Sequence, residues 1–260
     1  LKPMNIDMNS GYYAWRVRSR TSAGWSSYTP YALFFVLSKG FNSTFDNDAK
    51  KWLSLTGDWF RVDSGSLKTK GLTSLYATAV HKEIFTDDFV YSARMKGKGG
   101  ENQIQGLIIG GYPTATWAEN LWYDGVYFLH RNDSSGILVI RDGVKAVWSG
   151  WLPFSGINPT GWNVLEVTVD APNAFLTING QPNWYLINAP LDVEAGFVGL
   201  AHFRATADKN PLVVDWAKLN YLPSPTSQGQ LFDPEGARII DFNDLSQHQL
   251  DNGSPTDPTE

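Results

Sequence analysis

The sequence predicts an all-β protein that folds as an antiparallel two-sheet sandwich. Short runs of β-branched and aromatic residues recur along most of its 260 residues, and Gly, Asn, Asp and Pro separate them. No segment keeps a helical period over ten or more residues. The chain is 42% hydrophobic and 14% aromatic but only 18% charged, which is typical of β-proteins with many turns.

The first predicted strands lie in residues 1–38. Tyr13, Trp15 and Val17 alternate on one strand face, a turn follows at residues 22–24, and residues 31–37 form a second strand. The order Gly11-Tyr-Tyr-Ala-Trp-Arg-Val17, followed by Ser22-Ala-Gly-Trp-Ser-Ser27, resembles the end of a fibronectin type III domain. The resemblance implies a partial immunoglobulin-like segment with the last two or three of about seven strands, and with Tyr13 at the tyrosine corner.

Residues 41–222 contain the main series of predicted strands. These strands cover residues 90–95, 104–109, 125–130, 137–141, 164–169, 174–178, 196–203 and 212–219. Arg141-Asp-Gly143 and Asn179-Gly180 lie between such runs and are typical of tight β-hairpin turns. The regular succession of strands and turns predicts a single antiparallel sandwich over this part of the chain.

The order of short motifs in residues 41–222 resembles the concanavalin A-like lectin and glucanase family, which includes laminin-G-like domains. The motifs are Phe45-Asp-Asn-Asp48, Ile137-Leu-Val-Ile-Arg-Asp-Gly143, Leu176-Thr-Ile-Asn-Gly180 and Val214-Asp-Trp216. The resemblance implies that the sandwich is a two-sheet jelly roll. It says little about function, because one fold hosts many activities.

Residues 223–260 are predicted to form a linker, one strand and a flexible tail. Residues 223–229 are rich in Pro and Ser, whereas residues 237–242 alternate like a strand. A lone N-terminal hairpin is marginal in water, so we expect something to complete it. The candidates are strands preceding a chain that is a fragment or processed form, another subunit, or residues 237–242 of the same or a neighbouring chain. Pairing with a neighbouring chain predicts self-assembly.

Composition and charge exclude several classes of partner. The net charge is −5 and no basic stripe is evident, which argues against a nucleic-acid partner. No apolar run is long enough to span a membrane. The chain has no cysteine, which rules out disulfides and does not decide the compartment. The two family resemblances lead us to expect an extracellular or cell-surface location.

The acidic residues do not form the pattern of a glycosidase. Glu166 and Asp170 share a strand face but lie about 13 Å apart by strand rise, whereas glycosidase carboxylate pairs lie roughly 5–9.5 Å apart. Asp192 and Glu194 fall near a turn. The four histidines, which are His81, His130, His202 and His248, are dispersed and show no zinc-ligand spacing. We therefore predict a chain that is not an enzyme.

Aromatic residues give the strongest indication of a binding site. Exposed aromatic rings act as flat apolar surfaces for sugars, and nearby Asn, Asp or Glu side chains bond to sugar hydroxyls. The candidate ligand-binding residues are Trp117, Glu119, Asn120, Trp122, Tyr123, Asp124, Trp148 and Trp151. The alternative, that these rings cover a large core, stays open because Trp is mostly buried in proteins.

The family resemblance also implies a metal. In laminarinase-type relatives an aspartate on the closing strand, here Asp215, helps to bind a structural Ca²⁺ together with the first strand, here Phe45-Asp46. Oxygen ligands suit this cation, and the alternative is that Asp215 is simply a surface residue. The preferred function is a non-catalytic glycan-binding or adhesion module in a larger surface or secreted protein. The alternatives are a ligand-free building block of a surface assembly or filament, and a glycan-active hydrolase.

Overall fold

The structure is a computed structural model of the whole chain. It describes residues 11–36, 39–56, 59–62, 65–69, 76–85, 88–97, 103–113, 122–189, 196–204, 210–222 and 235–242. The chain divides into two compact units, which are Leu1–Lys39 and Gly40–Glu260. Each unit is described below by itself.

The N-terminal unit is a hairpin built from two successive pairs of short strands. Its strands are β1 (Gly11–Trp15), β2 (Arg20–Thr21), β3 (Gly24–Trp25) and β4 (Ala32–Val36). β1 pairs with β4 and β2 pairs with β3, both antiparallel. Between these pairs, Thr29 N donates to Val17 O at 2.8 Å, which continues the ladder. Gly24 allows the tight turn because its φ is +119°.

The second unit consists of seventeen strands among the described residues. In chain order they are β5 (Phe41–Ser43), β6 (Trp52–Thr56), β7 (Trp59–Val62), β8 (Leu67–Thr69), β9 (Tyr76–His81), β10 (Phe89–Lys96), β11 (Gln103–Tyr112), β12 (Asp124–Arg131), β13 (Ser134–Arg141), β14 (Val144–Trp148), β15 (Leu152–Pro153), β16 (Asn163–Asp170), β17 (Asn173–Ile178), β18 (Gln181–Ile187), β19 (Phe197–Arg204), β20 (Val213–Tyr221) and β21 (Arg238–Asp241). The helical content within the described ranges is one 3₁₀ turn, Ala49–Lys51.

These strands form two large sheets, which confirms the predicted all-β jelly-roll sandwich. The nine-stranded sheet has the order β21-β18-β17-β16-β10-β20-β8-β7, and β5 also pairs with β20. The eight-stranded sheet has the order β14-β13-β12-β11-β19-β9-β6, and β15 also pairs with β13. The neighbouring strands run antiparallel, apart from the parallel pair β18–β21.

Alternating apolar residues build the core between the sheets. On β16, Leu165, Val167 and Val169 are buried, whereas the residues between them are partly exposed. This period of two is what a strand with one solvated face requires. Phe128 of β12 belongs to the same cluster, which therefore contains residues from both sheets.

The eight-stranded sheet departs from this simple alternation because both of its faces are buried. Ile108, Tyr127, Leu138 and Phe203 belong to a second apolar cluster on the face opposite to the main core. Strands buried on both faces carry nearly continuous apolar sequence, and Ile137–Ile140 shows it. We call this second cluster the outer layer.

The C-terminal strand belongs to the sandwich. β21 pairs in parallel with β18 from Trp184 opposite Arg238 to Ile187 opposite Asp241. Ile240 is 1% exposed and joins the main core, whereas Ile239 is 51% exposed. Residues 237–242, one of the candidates for completing the N-terminal hairpin, thus form a ladder with β18 of the sandwich. The alternating pattern was interpreted correctly as a strand, but its apolar face packs on the larger core.

Within the parts of the chain that the structure describes, no helix has the length and apolar character needed to cross a membrane.

Candidate functional site

Trp122 fills the outer layer instead of presenting its ring to solvent. A Cβ at Gly111 would lie 2.1 Å from Cε3 of Trp122, and one at Gly199 would lie 2.5 Å from Cζ2. The backbone N–H of Trp122 donates to the Tyr127 hydroxyl at 2.8 Å, and both residues are fully buried. Burial raises the pKa of Tyr127 well above its usual value. The interpretation of Trp122 as a sugar-binding surface ring is corrected, since the two glycines make room for it in the interior.

Trp148 and Trp151 form an aromatic pair that packs against the outer layer. Their rings meet edge to face with centroids 5.1 Å apart. Arg131 lies over Trp151, with its Cζ 4.5 Å from the ring centroid. A Cβ at Gly136 would lie 2.8 Å from Cη2 of Trp148, so the strand passes close beneath this ring. Both indoles keep partly exposed surface, as a binding residue requires.

Two neighbouring tyrosines lie exposed at one end of the eight-stranded sheet. Tyr112 ends β11 and is 53% exposed, and Tyr123 precedes β12 and is 37% exposed. The Tyr123 N–H donates to the Tyr112 carbonyl at 3.1 Å, which holds the two residues together. Tyr112 is also the cross-strand partner of Asp124.

Charged groups lie beside the Tyr123 phenol. Tyr123 donates from its hydroxyl to Oδ1 of Asp142 at 3.4 Å, and Asp142 N donates to Oδ1 of Asp124 at 3.0 Å. Arg141 places Nη1 3.9 Å from the same Asp124 oxygen. The negative charge of Asp142 raises the pKa of Tyr123, so this phenol stays protonated as a donor. We call Tyr112, Tyr123, Asp124, Arg141 and Asp142 the tyrosine edge.

Two of these five residues, Tyr123 and Asp124, were predicted from the sequence, and the other three were not. Arg141 and Asp142 belong to a motif that predicted a hairpin turn, and the turn does form between β13 and β14. Strand pairing then carries that turn next to Asp124, a proximity that chain order does not reveal. Exposed Tyr112, eleven residues before Tyr123, carried no signal beyond being aromatic.

Several predicted residues lie outside the described part of the chain. They include Trp117, Glu119 and Asn120 of the candidate binding site, together with Asp192, Glu194 and His248.

The predicted calcium ligands have other partners. Nη1 of Arg94 lies 2.7 Å from Oδ2 of Asp215, and Oδ2 of Asp46 accepts a bond from Thr44 Oγ1 at 3.0 Å. The strand of Asp215, β20, does pair with β5 near the start of this unit, but through Phe41–Ser43, because Phe45 bends the chain with a φ of +63°. Within the described ranges no three His, Asp or Glu side chains come together. A cation that takes six to eight oxygens does not fit these residues.

The remaining titratable candidates have structural surroundings. Glu166 and Asp170 alternate with the buried core residues of β16, so they face away from the core. His81 stacks on Phe41 at 4.1 Å between ring centroids, and burial lowers its pKa to about 3. Burial likewise lowers the pKa of His130 to about 4. These histidines are neutral core residues.

Solved structures of known function share the sandwich. No family model and no curated protein matches the sequence. A β-glucanase from Bacillus licheniformis matches with a TM-score of 0.55 and 9% identity over 71% of this chain and 99% of its own. A lichenase from a mouse hindgut metagenome has a TM-score of 0.53, 12% identity and coverage of 71% and 100%. The potassium-bound Emp46p carbohydrate recognition domain has a TM-score of 0.54, 12% identity and coverage of 70% and 96%.

At these identities the similarity shows the fold alone, which is the concanavalin A-like jelly roll. The prediction of a chain that is not an enzyme is corrected by the same comparison. Glycosidic hydrolases, including a β-glucanase and a lichenase, are among the structures that share its sandwich. Requiring both carboxylates of a glycosidase to lie on one strand was too narrow a criterion. Residues from different strands also meet in space, as Asp124 and Asp142 do.

Proposed function

We propose that the sandwich unit binds glycans and that the tyrosine edge contacts the sugar. The observation that carries this proposal is the pair of exposed rings, Tyr112 and Tyr123, beside two carboxylates and one guanidinium. The apolar face of a sugar ring stacks on such phenols. Sugar hydroxyls donate to Asp124 and Asp142 and accept from Arg141. An extracellular or cell-surface location suits this role, and adhesion is the use that we propose for it.

The hydrogen bonds among these residues orient the site before a ligand arrives. Two hydrogen bonds hold Asp142 in place: its backbone N–H donates to the Asp124 carboxylate, and its own carboxylate accepts from the Tyr123 hydroxyl. A site whose side chains are already ordered loses less conformational entropy on binding. The fixed carboxylates therefore support selectivity for particular hydroxyl positions.

The first experiment is a glycan array with the full chain, followed by calorimetry on the sugars that bind. Tyr112→Ala and Tyr123→Ala should each weaken binding roughly threefold to tenfold, because a stacking surface is lost. Tyr123→Phe keeps the ring and should lose less. Val144→Ala is the matched control, since Val144 is exposed in the adjoining hairpin but has neither ring nor charge. Unchanged affinity in the Tyr112→Ala/Tyr123→Ala double variant would move the binding site elsewhere.

The second experiment asks whether the bound glycan is also cleaved. Each sugar that binds is incubated with the protein, and released reducing ends are measured. Asp124 and Asp142 are close enough for Asp142 N to reach the Asp124 carboxylate. Product formation that disappears in both Asp124→Asn and Asp142→Asn would assign hydrolysis to this same edge. Product that persists in both variants would place the catalytic groups outside it.

A further inference from the structure

One face of the N-terminal hairpin carries a continuous ladder of arginines and aromatic rings. Arg16, Arg18 and Arg20 occupy alternate positions from the end of β1 to the start of β2, and they lie over a shared set of rings. The return strand supplies the rings. We call this set the arginine ladder: Arg16, Arg18, Arg20, Trp25, Tyr28 and Tyr31.

The guanidinium groups lie over neighbouring rings. Cζ of Arg16 is 3.9 Å from the Tyr28 ring centroid and 4.8 Å from that of Tyr31. Cζ of Arg18 is 4.2 Å from the Trp25 ring and 4.8 Å from that of Tyr28.

The third arginine is Arg20, whose Cζ lies 5.5 Å from the centroid of the Trp25 ring. The three rings are between 44% and 61% exposed, and the arginines are exposed too. Each contact is a cation–π interaction, which is weak at an exposed site but fixes the plane of the guanidinium.

The charge of the chain is divided unequally between its two units. Residues 1–39 carry five Lys and Arg against one Asp, whereas residues 40–260 carry 16 Lys and Arg against 25 Asp and Glu. Residues 11–36 hold the three arginines and no acidic residue. Such asymmetry between parts of a chain indicates an interaction surface for a partner of opposite charge. No basic stripe is evident in the linear sequence because an uncharged residue separates each arginine from the next.

We propose that the arginine ladder binds an anionic glycan, which carries carboxylate or sulfate groups. Stacking occupies the faces of the guanidinium planes and leaves their N–H edges free to donate two parallel bonds to such a group. Residues two positions apart in extended backbone are spaced by about 7 Å. The ladder therefore presents three neighbouring, preorganised cations to a linear polyanion. This proposal concerns the N-terminal unit and does not depend on the tyrosine edge.

A glycan fits this surface better than a nucleic acid. Proteins that bind single-stranded nucleic acid stack bases on free aromatic faces. In the ladder each ring already has at least one guanidinium group over it, and Tyr28 has two, from Arg16 and Arg18. Recognition of charged groups through guanidinium edges needs no free ring face.

The test measures binding of the full chain to heparin and to polygalacturonate by calorimetry, with a thymidine oligonucleotide and neutral laminarin for comparison. The triple variant Arg16→Gln/Arg18→Gln/Arg20→Gln should lose roughly 100-fold or more in affinity for a charged glycan, since three charge-assisted contacts disappear. The matched control is Arg94→Gln/Arg131→Gln/Lys218→Gln. It removes the same three positive charges. These side chains also lie over aromatic rings, but in the sandwich unit. This control should keep wild-type affinity.

A second triple variant distinguishes the loss of binding groups from unfolding of the hairpin. Arg16→Lys/Arg18→Lys/Arg20→Lys keeps the charge but loses the bidentate geometry, and should bind roughly tenfold more weakly than wild type. Both triple variants keeping full affinity would overturn the proposal. An equal loss of affinity in the sandwich control would also overturn it, because the effect would then come from the overall charge of the chain. Tighter binding of the oligonucleotide than of either charged glycan would assign the ladder to nucleic acid instead.

Discussion

The indole Nε1 of Trp184 donates a hydrogen bond of 3.1 Å to the hydroxyl of Ser135 and thereby joins the two sheets through the core. Nη1 of Arg238 reaches the same hydroxyl at 3.3 Å, and Nη2 of Arg238 donates to the Pro153 carbonyl. Strands β13, β18 and β21 are thus connected at one serine. The C-terminal strand is fixed by polar contacts as well as by its ladder with β18.

The first prediction compares two adjacent isoleucines of β21. Ile240→Ala should lower the free energy of unfolding by about 2–4 kcal/mol, because it removes a fully buried side chain from the core. Ile239→Ala should change it by less than about 0.5 kcal/mol, since Ile239 is mostly exposed. Urea denaturation followed by tryptophan fluorescence gives both values. Equal effects would mean that β21 does not pack on the core.

The second prediction tests the glycine beneath Trp122. Gly111→Ala should destabilise the sandwich by about 1–3 kcal/mol, because the new Cβ would lie 2.1 Å from the indole. Combining it with Trp122→Phe, which removes the overlapping benzo ring, should restore part of the loss relative to the sum of the single changes. Thermal melts of wild type, the two single variants and the double variant measure this double-mutant cycle. Strict additivity would show that Trp122 and Gly111 do not contact each other.

The third prediction concerns acid stability and His130. Burial lowers its pKa to about 4 in the folded protein, whereas the unfolded value is close to 6.5. The unfolded state therefore binds the proton more readily, so stability is complete above about pH 6.5 and is lost as the pH falls toward 4. The loss attributable to this group is on the order of 3 kcal/mol.

The check is urea denaturation of wild type and His130→Gln across that pH range. The free energy of unfolding of the variant should depend less on pH between pH 6.5 and 4. His81, whose folded pKa is about 3, is unchanged in both proteins and keeps contributing below that range. Parallel curves for the two proteins would contradict a neutral buried His130.

The fourth prediction addresses calcium. The Arg94–Asp215 pair is more than a third exposed on each side, so it contributes at most about 1 kcal/mol. Asp215→Asn should therefore lower the melting temperature only slightly, and EDTA should leave it unchanged in both proteins. Scanning fluorimetry with EDTA and with added Ca²⁺ measures this. A melting temperature that EDTA lowers in wild type but not in Asp215→Asn would restore the predicted metal site.

The sequence predicted the strands well because each strand has its own periodic signal. Residues 164–169 were expected to form a strand and Asn163–Asp170 does; residues 90–95 were expected and Phe89–Lys96 is found. Alternation shows which residues share a face but not what covers that face. For this reason Trp122, placed between strands in an aromatic-rich segment, was interpreted as exposed although it lies in the outer layer.

Long-range pairing explains most of the other differences. The parallel contact of β21 with β18 joins segments about fifty residues apart, and no local pattern specifies that partner. The tyrosine edge likewise depends on three strand ends meeting at one end of a sheet. The predicted calcium ligands differ for another reason, since a matching aspartate does not reveal that Arg94, 121 residues earlier in the chain, forms an ion pair with Asp215.

The position of β21 has a consequence for the behaviour of shortened chains. A sheet edge with unpaired N–H and C=O groups invites pairing with other molecules, and proteins protect such edges. β21 covers the outer edge of β18 in the nine-stranded sheet. A protease that cuts before Arg238 would uncover that edge together with the apolar site left by Ile240. The last strand thus protects the edge of β18, and we expect a chain that ends before Arg238 to self-associate more readily than the full chain.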